Sequence, residues 1–242
     1  EVVVPVSQIL PAFENFSPAE NAAFAVQFMT AWVALFEIGR IRASDRVLIQ
    51  AAAGGVGTAA VQLAKALGCE VFGTASQDSK LDLIGKLGID HPINYRTTDF
   101  VEVIREKTGG EGVDVVLEVV GGEIFRKSLE ILNPFGRLVV IGFASLNLNK
   151  LNPFSWWKTW QDIPRVKIDA MATASQVVGA SHLGYLLKDT ERMLRIWNDL
   201  STYTIENRLR PVVGHEFQFE ELAEAHRLME SRNSHGKIVV HI

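Results

Sequence analysis

Cysteine is nearly missing from this chain: one residue, Cys69, in 242. A single thiol excludes an intramolecular disulfide and any metal centre built from several cysteines. The six histidines, at 91, 182, 215, 226, 235 and 241, form no H-E-x-x-H and no i, i+4 pair, so no metal site is expected. An excess of one charge is missing too. Lys and Arg number 24 against 28 Asp and Glu, net −4, which argues against a polyanion-binding surface and a nucleic-acid partner. No apolar run approaches the roughly 20 residues that cross a bilayer. The opening "EVVVPVSQILPAFENF" lacks both the basic lead and the small-residue cleavage site of a secretory leader. A reduced, cytoplasmic protein is therefore expected. Internal repeats and low-complexity linkers are absent.

What is present is apolar and periodic. Hydrophobic residues make up 48% of the chain, enough for a substantial core. Ser17-Pro18-Ala19-Glu20 reads as a helix start, with Ser17 as N-cap, Pro18 at the first helical position and Glu20 at the third. That helix runs to Glu37 and stops at Gly39. Strands and helices then alternate: strand 46–50, helix 56–67, strand 70–75, helix 78–87, strand 92–95, helix 98–107, strand 113–120, helix 123–132, strand 137–143. Such alternation is the pattern of an α/β fold with a doubly wound parallel sheet. "SQVVGAS" (175–181) adds a sixth strand and 186–200 a long helix. The tail from Leu209 reads strand, helix, strand. It is expected to form a small lobe with a strand in the N-terminal "VVVPV".

Ala52-x-Gly54-x-x-Gly57 follows the first strand and opens a helix. This is the spacing of the dinucleotide fingerprint G-x-G-x-x-G, with alanine first. Small residues permit the tight turn and let the backbone approach a pyrophosphate, which the free N–H groups and positive dipole end of the helix then face. Glycines that serve only close helix–sheet packing are the alternative. Where an NAD site ends its second strand with an acid for the ribose hydroxyls, this chain has Ala75, followed by Ser76 and Lys80. A hydroxyl and an ammonium suit a 2′-phosphate that an aspartate would repel, so NADP(H) is expected. A solvated lysine at a helix start is the competing reading of Lys80. Asp114 and Glu118 are expected to face turns rather than substrate.

"AAAGGVGTAAVQLAKALG", "GTASQDSK", "LGIDHPINY", "DVVLEVVGG", "LNPFGRLVVIG" and "HGKIVVHI", in that order, resemble the zinc-independent quinone oxidoreductase (zeta-crystallin) family of the medium-chain dehydrogenase/reductase superfamily. "NPFSWWKTW" with "HLGYL" is most similar to its branch of vesicle amine transport protein homologues. The resemblance implies a Rossmann domain over 17–204. It also implies the end of a truncated, β-rich GroES-like substrate domain in 1–16 and a return to that domain in 205–242. On that reading the chain is cut from a longer protein, and by itself folds and binds NADPH with little or no turnover. The resemblance places Thr30 at the nicotinamide end and Gly54, Gly55, Val56 and Gly57 at the pyrophosphate. It places Ser76, Lys80 and Tyr95 around the adenosine ribose phosphate. Val120, Gly121, Gly142, Phe143 and Ala144 fall beside the cofactor at the ends of the fourth and fifth strands. Thr30 has an alternative as a helix-interior threonine bonding its own backbone, and Tyr95 as an aromatic covering the sheet.

Zinc-dependent relatives carry a ligand where this chain has Val26, which cannot coordinate. The family's activity is reduction of quinones or α,β-unsaturated carbonyls by hydride transfer from NADPH, and its usual dimer pairs the sheets edge to edge through "SQVVGAS". No catalytic residue or proton donor is assigned. "PFSWWKTW", with three tryptophans in eight residues, reads as a buried contact, a lid over the substrate or a membrane-surface anchor. A catalytically weak NADPH-binding interaction or lipid-associated protein is the second functional reading. A methyltransferase on a similar sheet is the third.

Overall fold

The structure, a computed structural model, describes residues 3–144, 163 and 165–242. The tryptophan-rich segment lies outside the described residues. Six strands form one parallel sheet: β1 (Arg46–Ile49), β2 (Glu70–Ala75), β3 (His91–Asn94), β4 (Val113–Glu118), β5 (Leu132–Val140) and β6 (Val177–Ala180), in the order β3-β2-β1-β4-β5-β6. The strand order reverses between β1 and β4, which leaves a crevice at their C-terminal ends.

Period-two alternation sorts the strand residues into two layers. Val47 and Ile49 of β1, Val115 and Leu117 of β4 and Val139 of β5 enter one apolar cluster. Leu48, Val116 and Leu138 enter the other. Helices α1 (Pro18–Trp32), α2 (Gly55–Leu67), α3 (Asp78–Lys86) and α7 (Thr190–Glu206) cover the first layer, through Phe24, Phe28, Leu63, Ile84, Ile196 and Leu200. Helices α4 (Phe100–Lys107) and α5 (Gly122–Glu130) cover the second, through Phe100, Ile104 and Phe125. Each such fully buried side chain contributes about 1.5–3 kcal/mol, and burial on both faces explains why the strands read as continuous apolar runs.

Local rules set the helix ends. Ser17 and Glu20 close a reciprocal capping box at the start of α1. After Trp32 the helix widens into a π turn, Val33–Ile38, with Gly39 as its cap. Together Pro18–Ile38 are apolar and long enough to cross a membrane by length and composition, contrary to the count of apolar runs above. Half of that window is buried inside the protein. Gly68, at φ 90°, ends α2 in the left-handed conformation that glycine adopts without a Cβ penalty. Asp189 caps α7, whose side chain accepts from Arg192 N, so this helix begins at Thr190 rather than 186 and continues to Glu206. A short helix α6 (Ile168–Ala174) precedes β6.

Two expectations are corrected. The fifth strand starts at Leu132, not 137, because Leu132 already pairs with Val113; a register shift before Arg137 absorbs Asn133–Gly136. The segment "VVVPV" is not a strand among the described residues. Val6–Gln8 form a 3-10 turn, and Val3, Val6 and Ile9 are exposed. Pro5 has no N–H to give a ladder. Among the described residues, β7 (Val213–Gln218) and β8 (Lys237–His241) form a separate two-stranded parallel sheet. Helix α8 (Leu222–Glu230) connects them. Phe13 and Phe16 stack at 4.6 Å and join the same core as Phe24 and Trp197, so the loop before α1 packs against α1 and α7.

Candidate functional site

A cavity of about 350 Å³ opens at the C-terminal ends of β1, β2 and β4. The turn between β1 and α2 forms its first wall. Ala51 takes a left-handed φ of 51°, Ala52 N donates to Thr74 O at 2.9 Å, and Gly54 N returns to Ala51 O at 3.0 Å. Gly54 is the N-cap of α2 and has no side chain to satisfy the first turn. The first intrahelical bond is Thr58 N to Gly54 O, 2.8 Å. The N–H groups of Gly55, Val56 and Gly57 precede it, with the positive end of the helix dipole behind them. A Cβ at Gly57 would stand 2.4 Å from the Ala51 carbonyl oxygen and 2.7 Å from Ala52 backbone, so the turn closes this tightly only on glycine. A Cβ at Gly55 would meet the Gln27 amide nitrogen at 1.9 Å. Gln27 is buried, and its Oε1 has no partner. The turn thus offers donors to an anion and an unfilled acceptor beside it.

The second wall follows β2 and α3. Ser76 and Lys80 both line the cavity and are buried. Lys80 Nζ donates to Arg232 O at 2.8 Å. Burial first, and the Arg96 guanidinium second, hold the lysine below its ordinary pKa. Lys80 is therefore not a solvated helix-start lysine. Tyr95, half exposed, lines the same wall, its N–H held by Ala75 O at 3.1 Å, and Phe100 and Ile124 add apolar surface to it.

The third wall comes from β4 and β5. Val120 and Ala144 line the cavity. Gly121 is the N-cap of α5 at φ 85°, a left-handed position that favours glycine. Glu118 Oε1 accepts from Val120 N at 2.5 Å and from Gly121 N at 2.8 Å. Burial pushes the Glu118 carboxyl pKa up against those bonds. Ala144 N donates to Val119 O at 2.8 Å, which ties the chain after β5 to the β4 turn; Gly142 and Phe143 precede it, Phe143 partly exposed.

Among the expected site residues, Gly54, Ser76, Lys80, Tyr95, Val120 and Ala144 line the cavity. Ala52, Gly55, Val56, Gly57, Gly121, Gly142 and Phe143 are neighbours of those residues in the chain but do not line it, and neither does Thr30. Its hydroxyl donates to Val26 O at 2.6 Å, one turn back along α1. Glu118, read as facing a turn, does so, wholly buried with its carboxylate on the amides of Val120 and Gly121; Asp114 accepts from Arg46 N and Asn133 Nδ2 at the opposite end of β4. Gln50, Thr74, Arg232 and Ser234 also line the cavity and were not expected. The first two carried a sequence signal: polar residues at the C-terminal ends of apolar strands. Arg232 carried none, because the fold brings it from 152 residues beyond Lys80.

The loop after α8 closes over this site. Gly236 N donates to Ala53 O at 2.9 Å, Gly236 bridges Gly54, and Gln77 Nε2 donates to Asn233 Oδ1 at 3.0 Å. Among the described residues no three of His, Cys, Asp or Glu converge as metal ligands, and Val26 presents an exposed isopropyl group.

Residues 55–168 match the family described as zinc-binding dehydrogenase. The synaptic vesicle membrane protein VAT-1 homolog of Danio rerio is 37% identical over 245 residues, covering 99% of this chain and 50% of that protein. The solved structure of quinone oxidoreductase from Thermus thermophilus, described also in its complex with NADPH, is 36% identical with a TM-score of 0.79, covering 99% of this chain and 71% of that one. The CurK enoyl reductase structure is 33% identical with a TM-score of 0.80, covering 98% and 66%. This chain spans about half the length of the Danio rerio relative.

Proposed function

The chain belongs to the medium-chain dehydrogenase/reductase family of oxidoreductases, near its VAT-1 branch, and from that premise we propose that its cavity binds NADP(H). The whole protein, on this reading, reduces a quinone or an α,β-unsaturated carbonyl without zinc. The observation that carries the proposal is one cavity with two anion-directed ends. The uncapped first turn of α2 lies at one, and Ser76 with the buried Lys80 ammonium at the other. A nucleotide with a diphosphate and a separate 2′-phosphate matches both.

The residues then divide the work. Gly55, Val56 and Gly57 donate N–H bonds to the diphosphate. Ser76 and Lys80 hold the 2′-phosphate, with the Arg96 and Arg232 side chains adding positive charge nearby. Tyr95, Phe100 and Ile124 cover the adenosine. Val120, Gly121, Gly142, Phe143 and Ala144 set the depth of the nicotinamide end, and Thr30 stands on α1 beyond it. The bound nicotinamide would supply the hydride. The chain's own contribution is orientation and exclusion of water.

β6 is one of the two edge strands among the described residues, and Val177 on it is half exposed; we assign this edge to pairing with a second copy.

Titration of NADPH and NADH into the chain, followed by tryptophan fluorescence, tests the binding; turnover by the whole protein on a panel of quinones and enones tests the chemistry. The proposal expects NADPH to bind at least tenfold more tightly than NADH. It expects Lys80→Glu to remove that preference. Equal affinities would contradict it. Tight NADPH binding with no turnover across the panel would favour a nucleotide-binding interaction protein.

A further inference from the structure

Beneath the cavity floor runs an unbroken chain of buried hydrogen bonds. Ala51 N donates to Thr74 Oγ1 at 3.1 Å, and Thr74 Oγ1 donates to Gln50 Oε1 at 2.6 Å. Gln50 Nε2 donates to Ser128 Oγ at 3.3 Å, and Ser128 Oγ donates to Glu118 Oε2 at 3.3 Å. Glu118 Oε1 accepts from Val120 N and Gly121 N. Thr74, Gln50, Ser128 and Glu118 are each at most 2% exposed.

The direction of this chain is set from both ends. Main-chain N–H groups can only donate. Thr74 Oγ1 must accept from Ala51, so its own proton points onward, and 2.6 Å to Gln50 is an O–H···O distance. That orients the amide with Nε2 toward Ser128, whose proton then points to Glu118. All three donors at Glu118 converge on a group that accepts. Each end also holds backbone in the left-handed region: Ala51 at φ 51°, unfavourable for alanine, and Gly121 at φ 85°. One end is the fingerprint turn and the other is the turn that bounds the nicotinamide side.

We propose that Thr74, Gln50, Ser128 and Glu118 act as a single positioning unit that holds the fingerprint turn and the β4–α5 turn at a fixed separation, and so fixes the two ends of the bound nucleotide relative to each other. The inference rests on the NADP(H) reading for the ligand but on the hydrogen-bond chain for the coupling. None of the four is a catalytic residue. Linked buried bonds polarise one another, so a break at one end is felt at the other.

Two readouts on the chain test this. The first is residue-resolved amide hydrogen exchange without cofactor. Thr74→Val, which keeps the shape and removes the hydroxyl, is expected to speed exchange at Val120 and Gly121 about tenfold, while Val139 in the central sheet stays unchanged. Glu118→Gln leaves the Ser128 proton without an acceptor and is expected to speed exchange at Ala51. Thr74→Ser restores the hydroxyl and the protection. The second readout is NADPH affinity: each single variant weakens it about tenfold, and the double variant about as much as the worse single. Exchange changes confined to the substituted residue's own turn would overturn the proposal, as would losses that multiply to about a hundredfold. Coupled exchange in a chain that binds no NADPH would uphold the positioning unit and refute the nucleotide reading.

Discussion

Lys80 Nζ donates to the backbone carbonyl of Arg232 at 2.8 Å, and so joins α3 to the loop that leads into β8. The contact draws the C-terminal segment onto the candidate cofactor site. It also places the Arg232 guanidinium beside the cavity, where it donates to Ala144 O at 3.2 Å.

Arg232→Ala keeps the carbonyl that Lys80 uses and removes the side chain beyond Cβ, with the guanidinium and its bond to Ala144 O. The expected outcome is about a tenfold loss of NADPH affinity with NADH affinity within about twofold of the original, measured by fluorescence titration. An equal loss for both nucleotides would show that Arg232 serves the loop rather than the 2′-phosphate.

Gly57→Ala forces a Cβ to within 2.4 Å of the Ala51 carbonyl oxygen, and backbone cannot yield as a side chain can. A destabilisation of about 1–3 kcal/mol is expected in urea unfolding. Gly68→Ala meets open space but keeps φ at 90°, so about 1 kcal/mol is expected there. A Gly57→Ala chain as stable as the original would mean that the turn is looser than described.

Most of the fold was legible because its signals are local. Strand 70–75 and the C-terminal end of helix α2 match their expected limits, each marked by a change of period and a glycine. The capping box of Ser17 and Glu20 was readable for the same reason. The fingerprint turn and the Ser76–Lys80 wall were legible from spacing. What failed depended on distant partners. The register shift in β5 is imposed by Val113, and Arg232 reaches the cavity only through tertiary folding. Residues 3–6 have strand composition, but a strand forms only where another strand receives it. Glu118 faces the turn it was expected to face, but its complete burial and its bond from Ser128 depend on α5 and were not readable at a strand end.

Glu20 links stability to pH. The Ser17 backbone N–H, then the Arg210 guanidinium, hold its carboxyl below the ordinary glutamate value of 4.5. A folded pKa below the unfolded one gives stability that is full above the unfolded value and is lost as pH falls through the folded value. Glu20→Gln is therefore expected to cost about 0.5–1 kcal/mol near neutral pH, with the difference from the original shrinking toward about pH 3. Urea midpoints at both pH values check this; a gap independent of pH would contradict it.

Val177 stands half exposed on the edge strand β6. Val177→Lys places a charge where a second sheet would pair, and is expected to convert a dimer into a monomer by light scattering. An original chain already monomeric at tens of micromolar would remove the edge-pairing assignment.

The most direct test is a crystal structure of the chain with NADPH. The diphosphate is expected against the amide groups of Gly55, Val56 and Gly57, with the 2′-phosphate within hydrogen-bond reach of Ser76 and Lys80. A nucleotide seated elsewhere, or a diphosphate kept from that turn by the Gln27 side chain, would contradict the account.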